Sequence, residues 1–190
     1  FYKAVYNSMK YMIGTLILLI PFPMLFATLL NSKLMKGAGF FKSVYFLPAL
    51  TSVVVAGTIF RLMFGEMDTA LANQIIGILG HSPIKWLKGE WTGYAVLLIV
   101  ACWRWTGVNI LYFLAGLQSI DTELYEAASI DGANKWQQFL KISVPLLKPT
   151  TVYVLTISIY AGLAMFLESF MLWKGNNSPQ NIGLTIVGYL

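Results

Sequence analysis

The chain has 190 residues, of which 57% are hydrophobic and only 11% charged, and it carries a formal net charge of +5. Soluble domains carry roughly a quarter charged residues, so the composition excludes an ordinary globular protein and points to lipid. The lysines are spread through short loops without a basic stripe, which speaks against a nucleic-acid partner and leaves membrane topology as their commoner meaning.

Residues 11–30 hold no charge at all, and residues 43–60, 93–120 and 149–167 follow with only Arg104 interrupting them. A hydrocarbon layer of ~30 Å takes about 20 helical residues to cross, so four spans are expected, at about 11–30, 43–64, 93–118 and 149–172. A fifth begins at 182–190. Open strands would leave backbone groups unpaired in lipid and no barrel-type alternation occurs, which makes the fold class all-α, a polytopic transmembrane helical bundle forming a single domain over 1–190. The chain starts at Phe1 and stops inside an apolar run, so it reads as truncated at both ends. Pro21, Pro23, Pro48 and Gly57 predict kinks within the spans, and Trp91, Trp103, Trp105 and Trp173 stand at or towards span ends, the outermost as interfacial anchors.

The first loop carries Lys33, Lys36 and Lys42 without an acid, which suggests an inner side. Alternation then places 65–92 outside, 119–148 inside and 173–181 outside. The bias is six lysines inside against five outside, too small to set the orientation alone. Cys102 is single, so no intrachain disulfide forms. His81 has no metal-ligand partner at useful spacing, no phosphate-cradling G-x-x-x-x-G-K-[ST] pattern occurs, and nucleophile motifs are missing. No catalytic site, metal or cofactor is expected. The Asn176-Asn177-Ser178 triplet matches a glycosylation sequon by its letters alone.

Two charges lie within the spans. Arg104 is mid-span and Glu168 is near the outer end of the fourth, roughly 10 Å apart in depth at ~1.5 Å per residue. Either they pair, or Arg104 snorkels while Glu168 sits at the interface.

The polar loop 119–148 reads as helix, turn, helix. Asp121 is a candidate N-cap with Glu123 in the first turn, Asp131-Gly132 marks the turn, and Asn134 with Gln137 resembles a capping box whose helix runs to Pro145. Ala127 and Ala128 leave little side chain on the first helix, beside the anionic Glu126. Four acids and no base between 121 and 131 disfavour anionic headgroups and suit a groove in a partner protein.

The string Glu126-Ala127-Ala128, then Asp131-Gly132-Ala133, Phe139, and Ile142-x-x-Pro145 resembles the EAA loop of binding-protein-dependent ABC importer permeases. Phe40-Phe41, Phe46-Leu47-Pro48-Ala49, Ile59-Phe60-Arg61, Trp86-Leu87 and 114–120 are similar to the sugar-permease branch, the maltose-type inner-membrane subunits, so the likeness covers nearly the whole chain.

That resemblance implies a type I importer bundle in the bacterial plasma (inner) membrane, with the loop facing the cytoplasm. Its first helix, the coupling helix, docks on a dimer of ATP-binding subunits, with Glu126 in polar contact and Gly132 permitting the turn. Ala127, Ala128 and Asp131 complete the docking set. A second permease subunit and an extracytoplasmic solute-binding protein are the further implied partners, besides the sugar and membrane lipid. The family's sugar-lining positions fall on Ala101, Trp105 and Val108, and on Tyr160, Ala161 and Ala164. Polar residues of the maltose-type pattern are Ala or Val at several of these points. Trp105 and Tyr160 offer aromatic faces to a sugar ring, and Asn109, one turn below Trp105, offers an amide; bundle packing is the other reading for each. An ion-gradient-driven secondary transporter is the alternative class, and it calls for intramembrane carboxylates and an internal repeat. Only Glu168 meets the first demand.

Overall fold

A computed structural model describes residues 1–32, 37–175 and 178–190. Lys33 and Lys36 of the first basic loop, and Asn176 and Asn177 of the sequon, lie outside the described residues. Every regular element among the described residues is helical. Two helical stretches, Tyr2–Asn31 and Glu90–Gln118, are long and apolar enough to cross a membrane. Two further pairs reach that length only together, bent by 96° and 66° at short breaks.

The domain expected as one divides into two compact units. Phe1–Thr15, Leu50–Arg104 and Ser158–Leu190 form the first, and Leu16–Ala49 with Trp105–Ile157 form the second. Each buries its own apolar cluster, around Tyr11, Phe60, Val100, Met165 and Leu172 in the first and around Ala27, Phe113, Leu117, Leu147 and Val154 in the second.

Helices α1 (Tyr2–Leu19) and α2 (Pro21–Asn31) meet at Ile20, next to the prolines that predict a kink. Pro23 has no N–H to offer the Leu19 carbonyl four residues back. In the second unit the side-chain amide of Asn109 donates to that carbonyl at 2.9 Å.

The span expected at 43–64 is two helices, α3 (Ala38–Leu50) and α4 (Val53–Met63), bent by 96°. Pro48 stays inside α3, and the chain turns at Ser52, whose extended backbone (φ −56°, ψ 136°) starts α4. Gly57 does not kink α4. It gives room to Met171, because a Cβ there would overlap that side chain.

The loop after α4 contains α5 (Leu71–Ile78), and α6 (Glu90–Gln118) follows it. In the second unit Gly107 of α6 lets the Tyr45 carbonyl of α3 approach so closely that any Cβ would collide with it, a small-residue device common in membrane bundles.

The polar loop contributes α7 (Thr122–Ile130) and α8 (Lys135–Gln138), followed by a π turn, Phe139–Ser143, and the short α9 (Val144–Leu146). Pro145 was expected to end the second helix, yet helical geometry passes through it. A proline leaves the carbonyl four residues back without its bond, and here the backbone widens instead, with the Val144 amide reaching Phe139. The turn comes after α9, where the chain bends by 66° into α10 (Lys148–Leu163).

Residues 149–172 do not form one span either. Helix α10 ends at Leu163, and α11 (Leu167–Trp173) begins after Phe166 leaves helical geometry at φ −146°. Met165 between them is buried in the first unit's core. The start of a further span expected at 182–190 holds only α12 (Ile186–Tyr189) after an irregular stretch. Hydroxyls satisfy that stretch's backbone: Ser178 accepts from the Gly183 amide at 2.8 Å and Ser8 from the Ile186 amide at 3.0 Å.

Candidate functional site: a polar helical loop and polar groups within the spans

The loop is built from local signals that each satisfy a stranded backbone group. Asp121 accepts a hydrogen bond from the Glu123 amide at 3.0 Å and starts α7. The helix ends on Gly132, at φ +80°, where a side chain would be strained. The Gly132 amide donates to Ser129 at 3.1 Å and the Ala133 amide to Ala128 at 2.9 Å, the paired bonds of a Schellman cap. Asn134 and Gln137 then exchange both bonds of a capping box, at 2.9 and 2.8 Å.

What locks these pieces together is a residue the sequence does not single out. Gln138 is buried, and its amide nitrogen faces the Ser129 hydroxyl at 2.8 Å, the Ala133 carbonyl at 3.3 Å and the Tyr125 carbonyl at 3.4 Å. Its oxygen accepts from Lys135 at 3.2 Å. The Tyr125 hydroxyl meets Ser143 of the π turn at 2.9 Å. One side chain therefore ties α7, the turn and α8 into a rigid elbow. Glu126, Ala127, Asp131 and Gly132 remain exposed on it, and Ala128 is half-buried.

In the first unit Arg104 Nη1 lies 3.3 Å from Glu168 Oε1, each side chain 13% exposed. Of the two arrangements open from the sequence, the pair is the one formed. A charge pair at this depth removes the cost of leaving either ion alone in a low-dielectric layer, and it joins α6 to the first turn of α11.

Trp105 and Asn109 belong to the second unit, and Tyr160 and Ala164 to the first. Trp105 is 36% exposed and Tyr160 76%, so both present an aromatic surface. Asn109 is 7% exposed, and its amide nitrogen is engaged with the Leu19 carbonyl. The signal that finds this role is in the sequence: an interior proline frees the carbonyl four residues before it. Of the expected anchors, Trp91 is exposed with the Lys10 ammonium 3.8 Å from its ring centroid, whereas Trp173 donates to the Leu87 carbonyl at 2.9 Å within the bundle. Trp103 packs on Phe60, centroids 5.2 Å apart.

The profile of a family described as "Binding-protein-dependent transport system inner membrane component" matches residues 5–188. The arabinooligosaccharides transport system permease protein AraP of Bacillus subtilis (strain 168) is 60% identical over 190 residues, covering all of this chain and 60% of that protein. The lactose transport system permease protein LacF of Rhizobium radiobacter is 33% identical, covering all of this chain and 64% of that protein. The chain thus spans about three fifths of the length of these curated relatives. A solved structure, described as a bacterial alginate ABC transporter in complex with alginate pentasaccharide-bound periplasmic protein, superposes with a TM-score of 0.87 at 24% identity, covering all of this chain and 65% of that one. At that identity the likeness is one of fold. With the family profile running almost end to end, the chain belongs to the binding-protein-dependent transport system inner membrane components.

Proposed function

We propose that this chain is a permease subunit of an ATP-driven importer in the bacterial plasma membrane, moving an arabinooligosaccharide or a related sugar. An extracytoplasmic binding protein delivers the sugar, a second permease subunit completes the path, and a dimer of separate ATP-binding subunits supplies the energy. The chain itself performs no chemistry. The relatives' transport of named sugars supports the substrate class, and the elbow of α7 and α8 supports the energy coupling.

The observation that carries the reading is the rigidity of that elbow. An ATPase that closes on nucleotide can move a membrane helix only through a connector that does not bend. Here Gln138 and the Tyr125–Ser143 contact fix α7 to α8 and to the π turn, and the chain runs from there into α10. Displacing α7 then displaces α10, which bears Tyr160. Discrete movement of packed helices is the ordinary way such motion is passed on.

The deciding experiment reconstitutes the complete transporter in proteoliposomes and follows radiolabelled arabinotriose. Uptake should require ATP and the loaded binding protein, and cysteine at Ala127 should crosslink to the ATP-binding subunit from the nucleotide side. Uptake driven by an ion gradient without ATP would reject the proposal in favour of a secondary transporter.

A further inference from the structure

Helices α6 and α10 carry a second aromatic feature that neither the loop nor the ion pair uses. In the second unit the rings of Tyr112 and Tyr153 meet edge to face, centroids 5.3 Å apart at 85°. Tyr112 is partly buried and Tyr153 is 52% exposed, so the pair keeps an open aromatic surface.

Their positions relate them to the candidate sugar residues. Tyr112 lies seven residues after Trp105 on α6, and Tyr153 lies seven residues before Tyr160 on α10. Seven residues are about two turns, so each tyrosine shares its helix face with the aromatic residue above it and sits ~10 Å nearer the polar loop. The α6 face bearing Trp105, Val108 and Tyr112 is therefore turned towards α10 where Tyr112 meets Tyr153. The α6 face shows Ala101, Trp105, Val108 and Tyr112, with Arg104 at its edge and engaged with Glu168, and the α10 face shows Tyr153, Ile157 and Tyr160.

We propose that Tyr112 and Tyr153 form a carbohydrate subsite in the second unit, on the loop side of Trp105, taking the ring of an uncharged saccharide unit. Sugar C–H faces pack on aromatic rings, and the two phenol groups add hydroxyls that can exchange hydrogen bonds with sugar hydroxyls. The nearest cation on α6, Arg104, is already held by Glu168, so the pair offers an acidic sugar no counter-ion. The inference rests on the sugar-importer reading above and deepens it.

The test uses the complete reconstituted transporter and radiolabelled arabinotriose. Tyr153→Leu should lower uptake at least fivefold while Tyr153→Phe, which keeps the ring, stays within twofold of the parent. Tyr112→Leu should lower uptake similarly, but it is less exposed and its folding is less secure, so Tyr153 carries the decision. Stimulation of ATP hydrolysis by loaded binding protein should persist in Tyr153→Leu, because the elbow is untouched. Three results would overturn the subsite: unchanged uptake in Tyr153→Leu, as for a lipid-facing ring; equal losses in the Leu and Phe variants; or loss of the second permease subunit from the Tyr153→Leu complex, which would make the face a subunit contact. A parent transporter that takes up no arabinotriose with ATP present would instead sink the underlying sugar assignment.

Discussion

The loops on opposite ends of α6 are built on one plan and finished differently. In the loop before α6 Asn73 is buried on α5 and holds the carbonyls of Gly65, Met67 and Ile84 at 3.2–3.3 Å, while its oxygen accepts from the Ile84 amide at 3.0 Å and the Trp86 indole at 2.9 Å. In the loop after α6 Gln138 does the same for α7 and α8. Both loops end their helix on a glycine at φ +80°, Gly80 after α5 and Gly132 after α7, with the same paired cap bonds. The helices themselves diverge. α5 has no charged residue and no side-chain cap, and exposes Leu71, Ile75 and Ile78; α7 has a side-chain cap, Glu123 and Glu126. The shared plan makes a loop rigid, and the helix surface decides what the rigid loop is for.

The largest expected effects come from removing the two amides. Gln138→Leu and Asn73→Leu each strand several buried polar groups, at about 1–3 kcal/mol for each group left unsatisfied. Equal damage should have unequal consequences. In the reconstituted transporter Gln138→Leu should cut ATP-driven uptake more than tenfold and lose the ATP-binding subunit on co-purification. Asn73→Leu should keep that subunit while lowering the thermal stability of the solubilised complex. If both variants lost the ATP-binding subunit alike, the distinction between the loops would fail.

A charge reversal comes next. Glu126 and Gln74 are both exposed, on α7 and α5 respectively. Glu126→Lys should reduce uptake about tenfold, the order of one interfacial charge-assisted hydrogen bond at ~1.5 kcal/mol. Gln74→Lys should stay within twofold. A large loss from Gln74→Lys, measured in the same assay, would show that α5 also serves as a docking surface.

These loops also divide what was legible in the sequence from what was not. Asp121, Gly132 and the Asn134–Gln137 box could be read because caps and turns are settled within four or five residues. Gln138 and Asn73 could not, since each amide gathers groups from as far as thirteen positions away and nothing in the local pattern marks it. The spans follow the same division. Charge-free length located them, but the breaks at Ser52 and at 164–166 come from what each side buries: α4 lays Gly57 against Met171, and Met165 enters the core. For Arg104 and Glu168 depth along the helix suggested a partner, and only packing could choose between pairing and snorkelling. Asn109 shows the converse, a role written in the sequence at Pro23 but readable only with the neighbouring helix in place.

The cap glycines give a smaller, matched test. A side chain at φ +80° costs roughly 1 kcal/mol, so Gly132→Ala and Gly80→Ala should destabilise their loops to similar extents. Hydrogen exchange at the cap amides Ala133 and His81 should quicken about fivefold in each variant, 1 kcal/mol converted to a rate. Uptake should fall measurably only for Gly132→Ala. Equal uptake losses would mean that the angle of the α5 loop matters to transport as much as that of the α7 loop.

The smallest effect concerns the start of each helix, where the two loops differ by one side chain. Asp121 caps α7, whereas Ala70 precedes α5 with extended backbone (φ −65°, ψ 136°) and nothing to offer its amides. That backbone is the conformation an N-cap residue adopts, but Ala70 is buried and a carboxylate there would lose its water, so Ala70→Ser, the smallest capping side chain, is the variant that fits, and it should strengthen the helix by about 0.5 kcal/mol, with slower exchange at the Asn73 amide. Asp121→Ala should weaken α7 by a similar amount. Because the proposed motor contact is on the α7–α8 elbow, Ala70→Ser should leave uptake unchanged while Asp121→Ala lowers it slightly. A gain in transport from capping α5 would reveal that this helix unwinds in the working cycle, and the two loops would then differ in when they are rigid and no longer in what they touch.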